Sequence, residues 1–254
     1  CGLEIISAAS NCHKLHFNQI KLKYPVTSTR SVLWALADTE SNPFMDYYHA
    51  RLLPLIRERG YDFVGISVSG NSQLVSALTL AKLIKEQVPS VKHLTFGGNF
   101  ITRILNNWSR PHVFFNYVDT FIRYEGECGL LALIQQLRSV GNFSTVPGLV
   151  FVEGNELKKN PPAFVPASML PIPNFEGFIT DKYFAPDLVL PLYSSRSCFA
   201  KCAFCTTPAG TNGRYRVLST EQVLSTMRTY HQRYDVTHFS FVDETFSSTG
   251  MRNL

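Results

Sequence analysis

The stretch from residue 61 to residue 140 alternates short apolar runs with segments of helical periodicity. The runs DFVGISV, KHLTFGG and DTFIRYEG are each followed by a segment with helical spacing. The first of these segments has apolar residues three and four positions apart: Leu74, Ala77, Leu78, Ala81, Ile84 and Val88. This spacing places one helix face against a sheet, and Asn71 or Ser72 is expected to cap the helix. The order of strands and helices predicts an α/β fold built on a parallel sheet.

Further regular patterns flank this region on both sides. Upstream, PFMDYYHARLLPLIRERG has helical periodicity and ends at Gly60, whereas the first thirty residues show no clean period. Downstream, DLVLPLYSS and THFSFVDE are predicted strands. The helix between these strands is predicted to begin at a capping box formed by Ser219 and Gln222.

Prolines concentrate between the two β-α patterns. Six of the 14 prolines lie from Pro161 to Pro186, where they interrupt helical and strand periodicity alike. We therefore predict an α/β domain at residues 1–152, a proline-rich linker at 153–187 and the beginning of a second α/β unit at 188–254.

The composition is that of an ordinary globular protein. The 254 residues are 45% hydrophobic and 17% charged, enough for one large or two modest cores. The net charge of +5 is spread along the chain without a basic run, so nucleic-acid binding is not indicated. No apolar stretch approaches the roughly 18 residues of a membrane span, and the first residues lack the order of a signal peptide. These features predict a cytoplasmic protein without a membrane partner.

Three of the six cysteines fall within the eight residues CFAKCAFC. Crowding of this kind favours a metal site over disulfides. The C-x-x-x-C-x-x-C spacing of Cys198, Cys202 and Cys205 lets one loop hold three corners of a four-iron four-sulfur cluster and leaves the fourth iron open. The alternatives are a structural zinc site, which normally needs a fourth protein ligand, and three buried thiols.

This cysteine motif resembles that of the radical S-adenosylmethionine enzymes, in which an aromatic residue, here Phe204, typically precedes the last cysteine. The resemblance implies a 4Fe-4S cluster that cleaves S-adenosylmethionine to methionine and a 5'-deoxyadenosyl radical. It also implies a partial (β/α) barrel whose strand-end acidic residues, here Asp243 and Glu244, receive the ammonium group of the cofactor. Ser197 departs from the family pattern, because relatives commonly have glycine before the first cysteine.

Arg214, Tyr215 and Arg216 follow the cysteines in a form similar to that of relatives with cobalamin domains. An arginine at this position could meet a carboxylate, and a surface turn is the alternative.

Other histidines and cysteines that could act as ligands are given no functional role. Those near the N-terminus lie in an irregular segment and are considered incidental: Cys12, His13 and His16. The others are expected to be structural: Cys128 as a small buried apolar residue, and His231 and His238 beside or within regular elements.

The first half of the chain resembles the cobalamin-binding domains that precede many radical S-adenosylmethionine barrels, which have a flavodoxin- or Rossmann-like fold. The resemblance rests on DFVGISVSGNSQ, LTFGGNF and RYEGE, in that order. It implies cofactor-binding residues at the carboxyl ends of the strands: Ser67, Ser69, Gln73, Gly97, Gly98, Glu125 and Gly126. The D-x-H-x-x-G motif that supplies a histidine to cobalt is absent. Two alternatives are therefore open: the domain binds cobalamin without a histidine ligand, or it keeps the fold and has lost cobalamin.

Together these features predict a radical S-adenosylmethionine enzyme that uses cobalamin for methyl transfer or another radical modification. The acceptor is expected to be a peptide, as in maturation of ribosomally made peptides, or a small molecule, with flavodoxin or ferredoxin as electron donor. The alternative is a non-catalytic ligand-binding or redox-sensing module with an iron-sulfur cluster. Two strands cannot close a barrel, so we expect a fragment that lacks the first strand of its N-terminal domain and is inactive by itself.

Overall fold

The computed structural model describes residues 14–16, 19–107, 111–139, 141–178, 187–200 and 202–245. The chain divides into two compact units, Cys1–Pro162 and Ala163–Leu254. Each unit has its own hydrophobic core. Among the described residues, none of the helices combines the length and apolar content needed to cross a bilayer.

Strands and helices alternate through most of the first unit. Its elements in chain order are β1 Lys14–His16, β2 Gln19–Lys21, α1 Thr29–Ala37, α2 Met45–Tyr47, a π-helical turn Tyr48–Leu52, α3 Leu53–Arg59, β3 Phe63–Ser67, a 3₁₀ turn Asn71–Gln73, α4 Leu74–Gln87, β4 His93–Gly97, α5 Asn99–Asn107, a 3₁₀ turn Pro111–Asn116, β5 Thr120–Ile122, α6 Gly126–Leu137, a 3₁₀ turn Phe143–Thr145, β6 Leu149–Glu153 and β7 Glu156–Lys159.

The main sheet has the strand order β3-β4-β5-β6-β7. The first three strands are parallel, as predicted, and Ser67 lies opposite Gly97 in neighbouring strands. β6 and β7 are antiparallel additions that form a hairpin through Gly154, whose φ of 61° suits glycine. Because β7 pairs with β6, the first unit continues to Pro162, which differs from the predicted domain boundary at residue 152.

The two faces of the sheet carry different side chains, because successive residues of a strand point to opposite sides. One face belongs to the main core with α4: Val64, Ile66, Leu94, Phe96 and Phe121. On the other face, a smaller core forms between the sheet and α6: Ile122, Leu133, Leu149 and Phe151. Where β3 and β4 meet, this second face has small residues, Gly65, Ser67, Thr95 and Gly97, which leave space above the sheet.

The helix boundaries agree with the sequence patterns at some ends and differ at others. α3 ends at Gly60 in a left-handed conformation with φ 63°, as predicted. The expectation that Asn71 or Ser72 caps α4 is wrong, because those residues form a 3₁₀ turn before the helix begins at Leu74. α1 begins at the end of the first thirty residues, in which no clean period was found, and Ser28 caps it by accepting a hydrogen bond from the Ser31 amide at 3.2 Å.

The second unit contains a β-α-β arrangement. Its described elements are a 3₁₀ turn Ala167–Met169, β8 Val189–Leu192, β9 Ser195–Arg196, α7 Thr207–Gly210, β10 Arg216–Val217, α8 Thr220–Tyr234 and β11 His238–Phe241. β8 and β11 are parallel neighbours. α8 packs on this pair because Val223 and Tyr230, both 1% exposed, share a core with Leu190 and Leu192.

The capping box predicted for α8 is present. Ser219 Oγ accepts from the Gln222 amide at 3.2 Å, and Gln222 Oε1 accepts from the Ser219 amide at 3.0 Å. These two bonds satisfy amides that the helix cannot pair internally. The predicted start of this helix is therefore confirmed.

Candidate cofactor sites

A cavity of about 290 Å³ opens at the carboxyl ends of β3, β4 and β5. Four of the residues that the sequence singled out line it: Ser67, Gly97, Gly98 and Gly126. The structure adds further lining residues that the sequence reasoning missed: Gly65, Thr95, Tyr124 and Leu130. A cavity at this edge of a parallel sheet is the usual place for a ligand in an open α/β fold.

The two neighbouring glycines of this cavity differ in what they do. At Gly98, φ is 97° and a Cβ atom would lie 2.6 Å from the Val68 carbonyl oxygen, so the backbone itself requires glycine. At Gly97 a Cβ would lie at an ordinary 3.5 Å from the Ile122 oxygen. Gly65 likewise has room for a Cβ at normal contact distances. A Cβ at Gly126 would have no neighbouring atom within 4 Å among the described residues. The fold therefore requires Gly98, whereas the other three glycines keep the cavity open.

Ser69, Gln73 and Glu125 do not line this cavity. The Gln73 side chain closes the loop after β3, because its Oε1 accepts from the Ser69 amide at 2.7 Å and from the Gly70 amide at 3.1 Å. Glu125 is half-buried at the N-terminal cap position of α6. Their role in cofactor binding stays a prediction.

Thr102 links the loops that follow β4 and β5. It is fully buried, and its Oγ1 accepts from the Tyr124 amide at 2.7 Å while donating to the Gly98 carbonyl at 3.2 Å. Tyr124 has a φ of 66°, a left-handed conformation that is uncommon for a residue with a side chain. Thr102 thereby fixes the backbone of two residues that line the cavity, Gly98 and Tyr124. It falls within the helical pattern of α5, and no sequence signal distinguished it.

A buried chain of hydrogen bonds runs along the sheet to the cavity. The Thr120 hydroxyl donates to Thr95 Oγ1 at 2.9 Å, and the Thr95 hydroxyl donates to the Thr120 carbonyl at 3.1 Å. His93 Nε2 lies 2.9 Å from Thr120 Oγ1 and must donate to it, because the Thr120 proton is already committed. Burial lowers the pKa of His93 below its ordinary value of 6.5, so the neutral ring is favoured. At the cavity wall, Thr95 Oγ1 has an acceptor position left for a ligand.

The three clustered cysteines lie in the loop between β9 and β10, two short antiparallel strands that the sequence reasoning did not predict. Cys198 is half-buried, Cys202 and Cys205 are exposed, and all three thiols are free. The Ala200 amide donates to Cys198 Sγ at 3.3 Å. Hydrogen bonds from the Thr207 backbone and side chain lower the pKa of the Cys205 thiol. Phe204 is 89% exposed on the same loop.

The chemistry of this loop fits an iron-sulfur cluster, since cysteine thiolates are the soft ligands that hold such clusters. Within the described residues, however, no three side chains of histidine, cysteine, aspartate or glutamate are grouped closely enough to hold a metal ion. The convergence of Cys198, Cys202 and Cys205 on one cluster therefore stays a prediction.

The residues that follow the cysteines hold the loop in place. The Tyr215 ring meets the Phe199 ring edge-on, with centroids 5.4 Å apart. The Arg214 guanidinium lies 4.7 Å from the centre of the Phe164 ring. Arg216 pairs with Arg196 between β10 and β9, and its side chain donates to the Val165 carbonyl. These contacts favour a structural role for the Arg-Tyr-Arg run over a simple surface turn.

The two strand-end carboxylates have different surroundings. Asp243 accepts hydrogen bonds from the Ser194 amide at 3.0 Å, the Ser194 hydroxyl at 3.0 Å and the Ser195 hydroxyl at 2.6 Å. These bonds tie the segment after β11 to the segment after β8. Glu244 is exposed, and its charge acts on the Cys205 thiol. Of the pair, Glu244 is better placed to meet a ligand at the cysteine loop.

The other histidines and cysteines vary in burial. Cys128 is half-buried in the first turn of α6, whereas a buried position was expected. His231 Nδ1 lies 3.2 Å from the Val236 carbonyl, which is consistent with a structural role, and His238 is exposed. Cys12 and His13 lie outside the described residues.

The chain has the mixed α/β fold of cobalamin-dependent radical S-adenosylmethionine enzymes, which confirms the predicted fold class. One similar structure is the cobalamin-dependent S-adenosylmethionine radical enzyme OxsB with aqua-cobalamin and S-adenosylmethionine bound: the TM-score is 0.64 and the identity 24%, over 80% of this chain and 28% of that chain. Another is the radical S-adenosylmethionine methyltransferase TsrM from Kitasatospora setae with tryptophan substrate and a cofactor analogue bound: the TM-score is 0.60 and the identity 14%, over 91% of this chain and 47% of that chain.

Two curated proteins are similar in sequence. An uncharacterised methyltransferase from Pyrococcus horikoshii is 26% identical over 214 residues, which are 80% of this chain and 44% of that protein. The hopanoid C-3 methylase of Methylococcus capsulatus is 29% identical over 175 residues, which are 66% of this chain and 32% of that protein. The chain thus spans less than half the length of either relative. No protein-family model matches it.

Proposed function

We propose that the protein is a cobalamin-dependent radical S-adenosylmethionine methyltransferase. The cavity at the carboxyl edge of the first sheet is the main support, because three glycines with room for a side chain, Gly65, Gly97 and Gly126, keep it open. The likeness in fold to OxsB and TsrM and the names of the two curated relatives support the same proposal. The relatives named as methyltransferases favour an enzyme over a non-catalytic ligand-binding module.

In this proposal the first unit binds cobalamin at the cavity. The backbone at Gly65, Gly97 and Gly126 would allow a large flat ligand to approach the sheet closely. Ser67 and Thr95 would supply hydroxyl groups to the amides at its periphery. When bound, cobalamin supplies a cobalt centre that carries the transferred methyl group.

The second unit supplies the ligands of the cluster. Cys198, Cys202 and Cys205 are assigned to a 4Fe-4S cluster, and Glu244 is assigned to the ammonium of S-adenosylmethionine, since Asp243 already accepts three hydrogen bonds. When bound, the cluster supplies the electron that cleaves S-adenosylmethionine. Phe204, exposed beside Cys205, is assigned to contact the same cofactor. Reduction by flavodoxin or ferredoxin stays a prediction.

The peptide predicted from the sequence as methyl acceptor stays a prediction. One curated relative is named for methylation of a hopanoid, which is not a peptide.

The assignment of the cavity is tested by titrating hydroxocobalamin into the full-length protein and measuring bound cobalamin by visible absorption after dialysis. The double variant Gly65→Ala/Gly97→Ala adds two methyl groups to the cavity, each at ordinary distances from the protein itself. We expect affinity to fall about tenfold or more, because overpacking costs about 1–3 kcal/mol. Gly70→Ala is the matched control, since it adds the same group beside β3 without lining the cavity.

The same protein is then reconstituted anaerobically with iron and sulfide, and iron and 5'-deoxyadenosine are measured after S-adenosylmethionine is added. Cys202→Ala should abolish both signals. Equal cobalamin binding by the double variant and the wild type would refute the cavity assignment. Adenosyl product formed by Cys202→Ala, or no iron uptake by the wild type, would refute the cluster assignment.

A further inference from the structure

Ser197, which directly precedes the first clustered cysteine, has an unusual backbone conformation. Its φ is 74°, in the left-handed region, although it is not glycine, and it is only 2% exposed. A side chain in this region costs on the order of 1 kcal/mol, so something in the surroundings must stabilise it. Among the described residues, the hydroxyl group of Ser197 has Thr211 as its close partner, on the far side of the cysteine loop.

This hydrogen bond lies beside two backbone carbonyls of α7. Ser197 Oγ lies 2.5 Å from Thr211 Oγ1, and Thr211 Oγ1 also faces the carbonyl oxygens of Thr207 at 3.5 Å and Pro208 at 3.4 Å. Either hydroxyl can be the donor in the pair of Ser197 and Thr211. The serine is thereby connected to α7, the short helix that follows the last cysteine.

The two residues are 14 positions apart and enclose all three cysteines. Just outside them, β9 and β10 pair through Ser195–Val217 and Arg196–Arg216. Inside the loop, Thr207, whose carbonyl faces Thr211, also donates to the Cys205 thiol. The hydroxyl pair therefore closes the cysteine loop near both of its ends.

We propose that the hydroxyl pair of Ser197 and Thr211 is a brace that positions the cysteine loop for its cluster. This inference rests on the proposed cluster assignment. A loop whose ends are already joined has less conformational freedom to lose when its thiols bind one group. Both residues act through the cysteines, so they are positioning residues rather than cluster ligands.

The test compares variants of the full-length protein that remove or keep the hydroxyl pair. Thr211→Val removes one hydroxyl at nearly constant volume, whereas Thr211→Ser keeps it and should behave as the wild type. Ser197→Gly removes the other hydroxyl and relieves the backbone strain, so this variant should fold even if Thr211→Val does not. Thr229→Val is the matched control, because the Thr229 hydroxyl donates to the Ser225 carbonyl of its own helix, α8, away from the cysteine loop.

The first measurement is the rate at which a thiol reagent alkylates each cysteine in the metal-free protein, mapped by mass spectrometry. Cys198 is half-buried and next to the brace, whereas the exposed Cys202 and Cys205 serve as internal references. Because one hydrogen bond contributes about 0.5–1.5 kcal/mol, Cys198 should react about two- to tenfold faster, relative to the references, in Thr211→Val. The increase should be smaller in Ser197→Gly, because relief of the backbone strain offsets part of the lost hydrogen bond. The second measurement is the half-time of iron loss to a chelator after reconstitution, which should shorten in the same two variants only.

Unchanged Cys198 reactivity in both Thr211→Val and Ser197→Gly would overturn the proposal, as would equal effects in Thr211→Ser. Unchanged iron retention with raised Cys198 reactivity would also overturn it, because the brace would then order the loop without serving the cluster. If the wild type takes up no iron, the cluster assignment fails and this role of the brace fails with it. The alkylation rates then still show whether the hydroxyl pair closes the loop, so the two failures are distinguishable.

Discussion

Replacing Thr102 by valine should loosen the cavity of the first unit without creating a void, because the two side chains have nearly the same shape. The substitution leaves the Tyr124 amide without the acceptor that now lies at 2.7 Å. The Gly98 carbonyl keeps its bond from the Thr102 amide at 3.0 Å, so only one group loses its partner. A partly buried amide without a partner costs about 1–3 kcal/mol.

This destabilisation can be measured by urea unfolding followed by tryptophan fluorescence. Trp34 and the other tryptophan of the sequence, at position 108, both fall within the range of the first unit, so the signal reports that unit. With a urea dependence of about 1–3 kcal/mol per molar, the unfolding midpoint should fall by about 1 M. Hydrogen exchange at residues 122–126 should also accelerate, because Tyr124 would no longer be held in its left-handed conformation.

Thr102→Ser is the control, since it keeps the hydroxyl and loses only a methyl group. Its exchange at residues 122–126 should match the wild type, apart from a small global loss of stability. The reasoning fails if Thr102→Val leaves the midpoint and the local exchange unchanged. It also fails if Thr102→Ser accelerates exchange as much as Thr102→Val does.

Two further outcomes follow from the same unit. Gly98→Ala should destabilise the first unit by about 2 kcal/mol or more, because its Cβ would lie 2.6 Å from the Val68 carbonyl oxygen. Gly97→Ala should change the free energy of unfolding little, because its Cβ has an ordinary contact distance. The same urea assay measures both variants. Because burial lowers the pKa of His93, the unfolded state binds its proton more tightly than the folded state does. The histidine contribution to stability is therefore complete above its ordinary pKa of 6.5 and declines as the pH falls below that value. Urea midpoints at about pH 7.5 and pH 5 should differ less in His93→Gln than in the wild type, and equal differences would count against the role of this histidine.

Much of the local structure follows from the sequence alone. The parallel strands β3, β4 and β5, the apolar stripe of α4 and the capping box of α8 depend on patterns within a few residues, which period and composition report directly. Because a strand pattern also locates the end of a strand, four of the cavity residues were found from sequence: Ser67, Gly97, Gly98 and Gly126. The position of the three cysteines after a strand was found in the same way.

Only the tertiary structure decided which residues meet across the chain. It distinguished Gly98, which the close approach of Val68 requires, from Gly97, which has room for a side chain. It joined Thr102 to Tyr124 and Ser197 to Thr211, pairs that lie 22 and 14 positions apart. It also placed β7, which pairs with β6, beyond the predicted domain boundary at residue 152. Periodicity describes which face of an element is buried, whereas these contacts depend on how separate elements pack against each other, and no local pattern of residue types contains that information.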